Sequence, residues 1–268
     1  MADLPASKID DHSPRPLSHR GNEILEVVET AGGSMRINSI AEILGVSEET
    51  VRRNVRQLAD AGLAQKVHGG VHLVQSNTET SFTVRMDENP LAKKRIAAHV
   101  AGLIADGSAL SLDVGSTTAY IAPALRYHKD LFVVTNSVAV AHTLAARNNN
   151  RVFMPGGELR AHDGGVFGRQ AVDFVRQFRV DIAILSAAAI NIEAGVMLFD
   201  LPEADYSRAI MARSATRIIA ADSTKFGRVA PIALGQPERI DVLVTEAAPG
   251  DDLGAALAGW GTEVAVAS

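Results

Sequence analysis

From about residue 92 onward, short apolar runs alternate with segments that are long enough to form a helix. A chain that returns through a helix after each strand lays neighbouring strands parallel. The alternation therefore predicts an α/β domain with a largely parallel sheet. The runs of strand length occupy 108–113, 131–134, 151–154, 181–188, 216–221, 241–244 and 262–267.

Ligands of open α/β sheets bind beyond the carboxyl ends of the strands, so the residues that follow each run are the first candidates for a site. They are small, hydroxylated or charged. The first run ends at Asp113 and the loop G-S-T-T, and the fifth is followed by D-S-T-K. The candidate set is Asp113, Gly115, Ser116, Thr117, Thr118, Thr135, Asn136, Ser137, Gly156, Gly157, Glu158, Asp222 and Lys225.

These residue types suit a phosphorylated ligand. Backbone N–H groups of a Gly/Ser/Thr loop at a helix N-terminus attract anions, and Lys225 adds a point charge. Asp113 or Asp222 would accept hydrogen bonds from sugar or polyol hydroxyls. Each feature alone has an ordinary explanation: a helix cap for D-x-G-S-T-T, a surface lysine for Lys225, and a tight turn for Gly156-Gly157. Their shared position at strand ends favours a site.

The N-terminal part has the order of a winged helix-turn-helix. Helical patterns cover residues 20–63, in which S-I-A-E-I-L is followed by the turn G-V-S and then by E-E-T-V-R-R-N-V-R-Q-L-A. A turn of about three residues that contains Gly45 suits this motif, and Ser47 is the predicted N-cap of the second helix. Two short strands around a Gly-Gly turn complete the predicted wing.

The helix after the turn would lie in the major groove of DNA. Thr50 and the arginines are expected at base edges or phosphates, Asn54 is expected to bond to adenine, and the two wing residues are expected at the DNA backbone or minor groove. The alternative is a solvated helix face whose arginines pair with neighbouring acids. The predicted DNA-binding set is Ser47, Thr50, Arg52, Arg53, Asn54, Arg56, Lys66 and His68.

The boundaries predicted from composition are a tail at 1–17, the DNA-binding domain at 18–75, a linker at 76–91 and the α/β domain at 92–268. The formal net charge of −5 argues against nonspecific nucleic-acid binding. Glu48 and Glu49 would weaken the attraction of DNA phosphates, so modest affinity per monomer is expected, together with a homodimer or homotetramer that reads paired half-sites.

The chain contains no cysteine, and its eight histidines lack metal-ligand spacing, so neither a metal nor a cofactor is expected. There is no apolar run of about 18 residues and no signal-peptide pattern. A cytoplasmic protein without a membrane partner is the expectation.

The stretch from Arg20 to Val71 resembles the DNA-binding domain of DeoR-type bacterial repressors, through G-V-S-E-E-T-V-R-R-N-V-R-Q-L-A-D-A-G-L and K-V-H-G-G-V. The family usually carries R-R-D-L where this chain has R-R-N-V, which bears on the operator sequence. Residues 92–246 resemble the sensor domain of the same family. That domain is similar to ribose-5-phosphate isomerase, and the resemblance implies a phosphorylated small-molecule effector.

Three motifs look most like those of glycerol-3-phosphate repressors within the family: G-G-E-L-R-A-H-D-G-G-V-F-G, D-F-V-R-Q-F-R-V-D and D-S-T-K-F-G-R. The resemblance implies specificity roles for Glu158, Arg160 and Asp163, although Arg160 is equally typical of an exposed loop. The chain has L-S-A-A-A-I where L-G-x-x-G-I is usual, and Ser207 where a lysine is common after a glutamate, here Glu203.

The resulting hypothesis is a repressor of a carbon-catabolism operon that a phosphorylated polyol or sugar, such as glycerol 3-phosphate, releases from DNA. One alternative is a sugar-phosphate isomerase, which would recruit Asp113, Glu158, Asp222 and Lys225, although no segment pairs two acids with a lysine at close spacing. The others are a repressor of a different sugar phosphate and a protein–protein scaffold. The three arginines would have no role in a scaffold.

Overall fold

The computed structural model describes residues 18–31, 34–61, 63–67, 70–73 and 82–268. The chain divides into two compact units, Met1–Ser76 and Asn77–Ser268. Within the described ranges, no helix has both the length and the apolar character that a membrane span requires.

The first unit is a winged helix-turn-helix. Its helices are α1 (His19–Thr30), α2 (Ile37–Leu44) and α3 (Glu48–Asp60), and its strands β1 (Ser34–Arg36), β2 (Ala64–Val67) and β3 (Gly70–Leu73) form an antiparallel sheet in the order β1-β3-β2. The helices pack on one another through a small apolar core. Its fully buried members include Ile24, Val28, Ile40, Val51, Leu58 and Val71.

The turn between α2 and α3 depends on two residues. Gly45 ends α2 with φ +61°, a left-handed conformation that is unfavourable for residues with a Cβ atom. Ser47 then caps α3, because its hydroxyl oxygen accepts a hydrogen bond from the Thr50 backbone N–H at 3.3 Å. Glu48 and Glu49 follow in the first turn of α3, where the helix dipole favours acids.

The second unit is built on a seven-stranded parallel sheet. Its strands are β4 (Ala109–Leu112), β5 (Phe132–Thr135), β6 (Arg151–Phe153), β7 (Val180–Leu185), β10 (Ser214–Ala220), β12 (Val242–Thr245) and β13 (Glu263–Val266). They lie in the order β13-β12-β10-β7-β4-β5-β6, and every neighbouring pair is parallel. All seven apolar runs therefore form strands of one sheet, as the sequence predicts.

Helices connect and cover these strands: α4 (Phe82–Asp87), α5 (Pro90–Gly102), α6 (Ser116–Ala124), α7 (Val138–Leu144), α8 (Arg169–Val175), α9 (Leu201–Met211) and α10 (Asp251–Gly259). From β4 the strands proceed outward to β5 and β6, and the chain then returns to place β7 on the other side of β4. The order thus reverses beside β4, and such a switch point opens a crevice at the carboxyl ends of the strands.

Two features depart from the sequence analysis. The predicted strand 181–188 ends at Leu185, and strands β8 (Ala189–Asn191), β9 (Gly195–Leu198) and β11 (Ile232–Ala233) form a separate antiparallel sheet. In addition, α4 lies within the predicted linker, and the linker assignment is wrong for residues 82–91. The helix α4 is held against α6, where the Tyr120 hydroxyl donates a hydrogen bond to the Met86 carbonyl at 3.0 Å.

Candidate functional site

The exposed face of α3 carries the predicted DNA contacts. Arg53 and Arg56 are exposed, and among the described residues no carboxylate pairs with either guanidinium. Arg52 is also exposed but forms an ion pair with Glu48 at 2.6 Å. A phosphate would have to compete with that carboxylate, so Arg53 and Arg56 are the more available cations.

The remaining residues of the predicted DNA-binding set have different positions. Ser47 and Thr50 lie at the start of α3, with their hydroxyl oxygens 2.9 Å apart. Lys66 lies exposed on β2. His68 falls outside the described residues.

Asn54 does not occupy the position that base readout requires. Its side chain is only 4% exposed. Its amide nitrogen donates to the Thr50 carbonyl at 2.8 Å, and its amide oxygen accepts from the Ser18 hydroxyl at 2.9 Å. The predicted adenine contact is therefore wrong for this structure, because both polar atoms face the interior and are used to join α3 to the start of α1.

In the second unit, Asp113 and Ser186 follow the carboxyl ends of the adjacent strands β4 and β7. One oxygen of the Asp113 carboxylate accepts from the Ser186 backbone N–H at 2.8 Å and from its hydroxyl at 3.1 Å. Burial raises the pKa of Asp113 to about 6, although the hydrogen bonds from Ser186 and the charge of Arg85 act in the opposite direction. The site therefore holds a carboxylate that is costly to bury.

The loop G-S-T-T forms the first turn of α6 beside this pair. Ser116, Thr117 and Thr118 are buried, and the Thr118 hydroxyl lies 3.1 Å from the Asp113 carbonyl and 3.0 Å from that of Gly115. Gly115 occupies the N-cap position, so no side chain caps the helix. The backbone N–H groups of this first turn point toward the carboxyl edge of the sheet, as an anion site requires.

Three buried basic residues lie at the same edge: Lys225 from the segment after β10, Lys93 from α5 and Arg85 from α4. The Lys93 ammonium donates to the Glu88 carbonyl at 2.7 Å and to the Arg85 carbonyl. Burial lowers the pKa of Lys93, the charges of Lys225 and Arg85 lower it further, and the charge of Asp222 raises it. These cations are close enough to act on one another electrostatically.

Asp222 is the N-cap of the short turn Ser223–Lys225, which carries one of these basic residues. Its carboxylate accepts from the Thr224 backbone N–H at 3.2 Å and from the Asn89 amide at 3.3 Å. Sequence reasoning included Asp222 and Lys225 but missed Lys93 and Arg85. The signal for Lys93 was available, because it lies on the buried stripe of α5 with Ile96 and Val100.

The residues after β5 have separate roles. The Thr135 hydroxyl oxygen accepts from the Ser137 backbone N–H at 3.1 Å, and the Ser137 hydroxyl oxygen caps α7 by accepting from Val140 N–H. Asn136 lies between them, fully buried, and its amide nitrogen donates to the Val166 carbonyl at 3.2 Å. The capping bonds fix the loop so that the amide oxygen of Asn136 faces away from Val166.

Arg160 is the centre of an ion cluster, and the exposed-loop alternative is wrong for it. Its guanidinium contacts the carboxylates of Asp163 and Glu203, lies 3.2 Å from that of Asp200, and stacks on Phe167 at 4.0 Å from the ring centroid. Burial would raise the pKa of Asp163, but hydrogen bonds from Arg160 and the Gly165 backbone hold it below its usual value. By contrast, the neighbouring loop residues Gly156, Gly157 and Glu158 are exposed.

A small internal cavity lies among these groups, with a volume of about 10 Å³. Three polar atoms at this cavity, hereafter the Tyr206 cavity, are buried without a hydrogen-bond partner in the described structure: the second carboxylate oxygen of Asp113, the amide oxygen of Asn136 and the hydroxyl of Tyr206. Its lining consists of Asp113, Val114, Asn136, Phe167, Ser186, Leu198, Glu203, Tyr206 and Ser207. Unpartnered buried polar atoms are rare, and three in one cavity make it a candidate binding site.

Comparisons with known proteins identify two family domains in the chain. Residues 20–77 match the model of the DeoR-like helix-turn-helix domain, and residues 88–247 match that of the DeoR C terminal sensor domain. The glycerol-3-phosphate regulon repressor of Escherichia coli is 36% identical over 87% of this chain and 92% of its own length. The HTH-type transcriptional repressor CsqR of Escherichia coli is 37% identical over 81% of this chain and 83% of its own.

Among solved structures, ribose 5 phosphate isomerase A from Neisseria gonorrhoeae is similar over 52% of this chain and 53% of that one, with 18% identity and a TM-score of 0.35. One family model lies in each structural unit, apart from one residue, and residues 1–19, 78–87 and 248–268 are unmatched. With its helix-turn-helix unit followed by its parallel-sheet unit, the chain belongs to the DeoR family.

Proposed function

We propose that this protein is a transcriptional repressor that binds operator DNA through α3 and dissociates when a phosphorylated polyol or sugar occupies its second unit. The DNA half of the proposal is supported by the exposed Arg53 and Arg56 on the helix that follows the turn. It is supported also by the relatives, which are named as repressors.

One observation carries the effector half. Arg85, Lys93 and Lys225 are all buried at the carboxyl edge of the sheet, beside the first turn of α6. Bringing like charges together in a buried site is costly, and the charges of Lys225 and Arg85 lower the pKa of Lys93, whereas those of Asp222 and Glu88 raise it. A phosphate group with its two negative charges suits this cluster. Glycerol 3-phosphate is the first candidate, and a sugar phosphate is the second.

The carboxylates that an isomerase would need are not gathered at one point. Glu158 is exposed and does not line the Tyr206 cavity, whereas Asp113 does. Asp222 is engaged by Thr224 and Asn89. This separation favours sensing over turnover.

The proposed assembly is a cytoplasmic homodimer or homotetramer, because two copies of α3 are needed to read the two half-sites of an operator. The effector would prefer the conformation that does not bind the operator. A difference of about 2–3 kcal/mol between the two conformations would weaken operator binding by roughly 30- to 150-fold.

The test measures binding of the full chain to the DNA upstream of its own gene by fluorescence anisotropy, over a range of salt concentrations. We expect salt-sensitive binding that glycerol 3-phosphate or a sugar phosphate weakens. Arg53→Ala should abolish DNA binding and leave ligand binding intact. DNA binding that no phosphorylated compound alters would refute the effector half alone.

Lys225→Ala provides the complementary variant. It should bind the operator normally and no longer respond to the phosphorylated compound, because one cation of the buried cluster is lost. Lys94→Ala is the matched control, since Lys94 is exposed on α5 next to the buried Lys93. Normal release of Lys225→Ala by the effector would show that the phosphate lies elsewhere.

A further inference from the structure

We propose that the Tyr206 cavity binds the hydroxyl groups at the end of the effector that carries no phosphate, so that Asp113, Asn136 and Tyr206 select a polyol or sugar. This inference rests on the proposed function and adds a second half to its site. The basic cluster attracts the phosphate, and the Tyr206 cavity reads the rest of the molecule.

Three polar atoms at the cavity have no hydrogen-bond partner among the described residues. The Asp113 carboxylate uses only one of its oxygens for Ser186, and its other oxygen is buried at the cavity. Asn136 donates through its amide nitrogen to Val166, which identifies the amide oxygen as the atom that remains. The Tyr206 hydroxyl is also buried and without a partner in the described structure. Each such atom costs free energy in the unliganded protein.

Donor and acceptor chemistry then defines the ligand. The carboxylate oxygen of Asp113 and the amide oxygen of Asn136 accept hydrogen bonds, while the phenol of Tyr206 both donates and accepts. A ligand that satisfies all three must bring at least two donors and one acceptor. Two neighbouring hydroxyl groups on a carbon chain meet that requirement, because each can donate once and accept once.

The charges at the cavity disfavour ligands that would place a carboxylate there. Glu203 lines the cavity together with Asp113, and burial together with the nearby charge of Asp113 raises the pKa of Tyr206 and keeps its phenol protonated. Glu203 is already paired with Arg160, so a ligand carboxylate placed here would meet the buried carboxylate of Asp113, and no cation is among the lining residues. The side chains of Val114, Phe167 and Leu198 form the apolar part of the lining and suit the carbon atoms of a short polyol.

The volume of the cavity sets a further condition. About 10 Å³ accommodates one hydroxyl group, so a larger ligand end requires the lining to move. Arg160 holds two parts of this lining, Phe167 by stacking and Glu203 by an ion pair. Entry of the polyol would therefore displace the contacts of Arg160 with the cavity wall.

The first experiment compares ligands by isothermal titration calorimetry on the full chain. Glycerol 3-phosphate, ribose 5-phosphate and fructose 6-phosphate are each paired with a deoxy counterpart: propyl phosphate, 2-deoxyribose 5-phosphate and 1-deoxyfructose 6-phosphate. The best-bound compound should bind at least tenfold more tightly than its counterpart, and 3-phosphoglycerate should bind no better than inorganic phosphate. If the protein binds each compound and its deoxy counterpart with equal affinity, the cavity proposal is overturned and the phosphate site remains.

The second experiment uses Tyr206→Phe, which removes only the unpartnered hydroxyl. We expect the melting temperature of the unliganded variant to stay the same or rise, because a buried unsatisfied group is lost. Its affinity for the best-bound compound should fall about 3- to 15-fold, with no change for the deoxy counterpart. A uniform loss for both compounds, or no loss for either, would overturn the role of Tyr206.

Thr262→Val is the matched control for that substitution. The Thr262 hydroxyl is also buried, but it donates to the Ile240 carbonyl at 2.9 Å. Thr262 immediately precedes β13 and so lies at the amino ends of the strands, whereas the Tyr206 cavity lies at the carboxyl ends. This variant should melt at a lower temperature and keep the affinity of the parent for every ligand. If no phosphorylated compound binds the parent protein, the effector half of the proposed function fails, and the cavity proposal fails with it.

Discussion

The carboxylate of Asp113 accepts two hydrogen bonds from Ser186, one from its backbone N–H at 2.8 Å and one from its hydroxyl at 3.1 Å. The two residues follow the parallel strands β4 and β7, which are neighbours in the sheet but 73 positions apart in the chain. This pair fixes the direction of the free carboxylate oxygen into the Tyr206 cavity. It therefore links the central strands of the fold to the chemistry of the site.

Gly115→Ala should disrupt this pair. Gly115 has extended backbone angles that any residue adopts, but an added Cβ atom would lie 2.6 Å from the Ser186 Cβ and closer still to its hydroxyl oxygen. Ser186 would have to move, so we expect a loss of about 1–3 kcal/mol in the free energy of unfolding. Urea denaturation measures the loss. The double variant Gly115→Ala/Ser186→Gly should recover part of it, and equal instability of both proteins would contradict the steric explanation.

Asp113→Asn tests the cost of the buried charge. The pKa of Asp113 is about 6 in the folded protein against a usual value of 3.8, so the folded state binds protons more tightly than the unfolded state. Stability contributed by this group therefore falls as pH rises from about 4 to above 6, and the cost at pH 8 is about 2–3 kcal/mol. The asparagine variant keeps an oxygen that can accept from Ser186 and lacks the charge.

We expect Asp113→Asn to melt at a higher temperature than the parent at pH 8, with a much smaller difference at pH 4.5. Scanning calorimetry at both pH values gives the comparison. The same variant should bind the proposed polyol phosphate more weakly, because a carboxylate is the stronger acceptor for hydroxyl donors. A stability gain that is equal at both pH values would exclude the buried charge as its cause.

The central strands of the large sheet could be predicted because strands buried on both faces read as continuous apolar runs. The strands β8, β9 and β11 could not, since they pair with one another in a separate antiparallel sheet that the strand–helix alternation does not encode. The helix α4 was missed for a similar reason. It has only six residues, half of them polar, and its position depends on contacts with α6 that no local pattern encodes.

The site shows a second limit of sequence reasoning, which concerns polar residues on apolar stripes. Asn54 has the helical spacing of Val51, Val55 and Leu58, and Lys93 has that of the buried face of α5. In both cases the period indicated burial, whereas the side-chain chemistry suggested exposure, and the period was correct. No sequence pattern pointed to Tyr206. Its hydroxyl lacks a partner in the described structure because of how three separate segments of the chain pack around it.

Asn54→Ala should destabilise the first unit rather than alter which bases the protein prefers. The change removes the hydrogen bonds to Thr50 and Ser18 and leaves a buried hole, so we expect a loss of about 1–3 kcal/mol in that unit. Hydrogen exchange of the α3 amides reports this local stability. Gln57→Ala is the control, because Gln57 lies exposed on the same helix and should have little effect. A changed ranking of operator variants with unchanged exchange rates would restore the base-contact role of Asn54.

Arg160→Met should show how far the ion cluster stabilises the wall of the Tyr206 cavity. Methionine keeps an apolar side chain over Phe167 but leaves the carboxylates of Asp163, Asp200 and Glu203 without the cation that joins them. Removing one partner from a buried ion cluster costs about 2–4 kcal/mol when the other charges stay buried. The loss is measured by urea denaturation at pH 7.5.

The effect of Arg160→Met should depend on pH in a defined direction. The pKa of Asp163 lies below its usual value in the parent, so the stabilisation from its carboxylate is present above about pH 4 and is lost as pH falls through the folded pKa. The difference between parent and variant should therefore be largest at neutral pH and shrink toward pH 3. Arg169→Met is the control, since Arg169 is 94% exposed and its pair with Asp173 should contribute little. A loss that stays constant from pH 7.5 to pH 3 would show that Arg160 stabilises the wall by packing on Phe167 and not by charge.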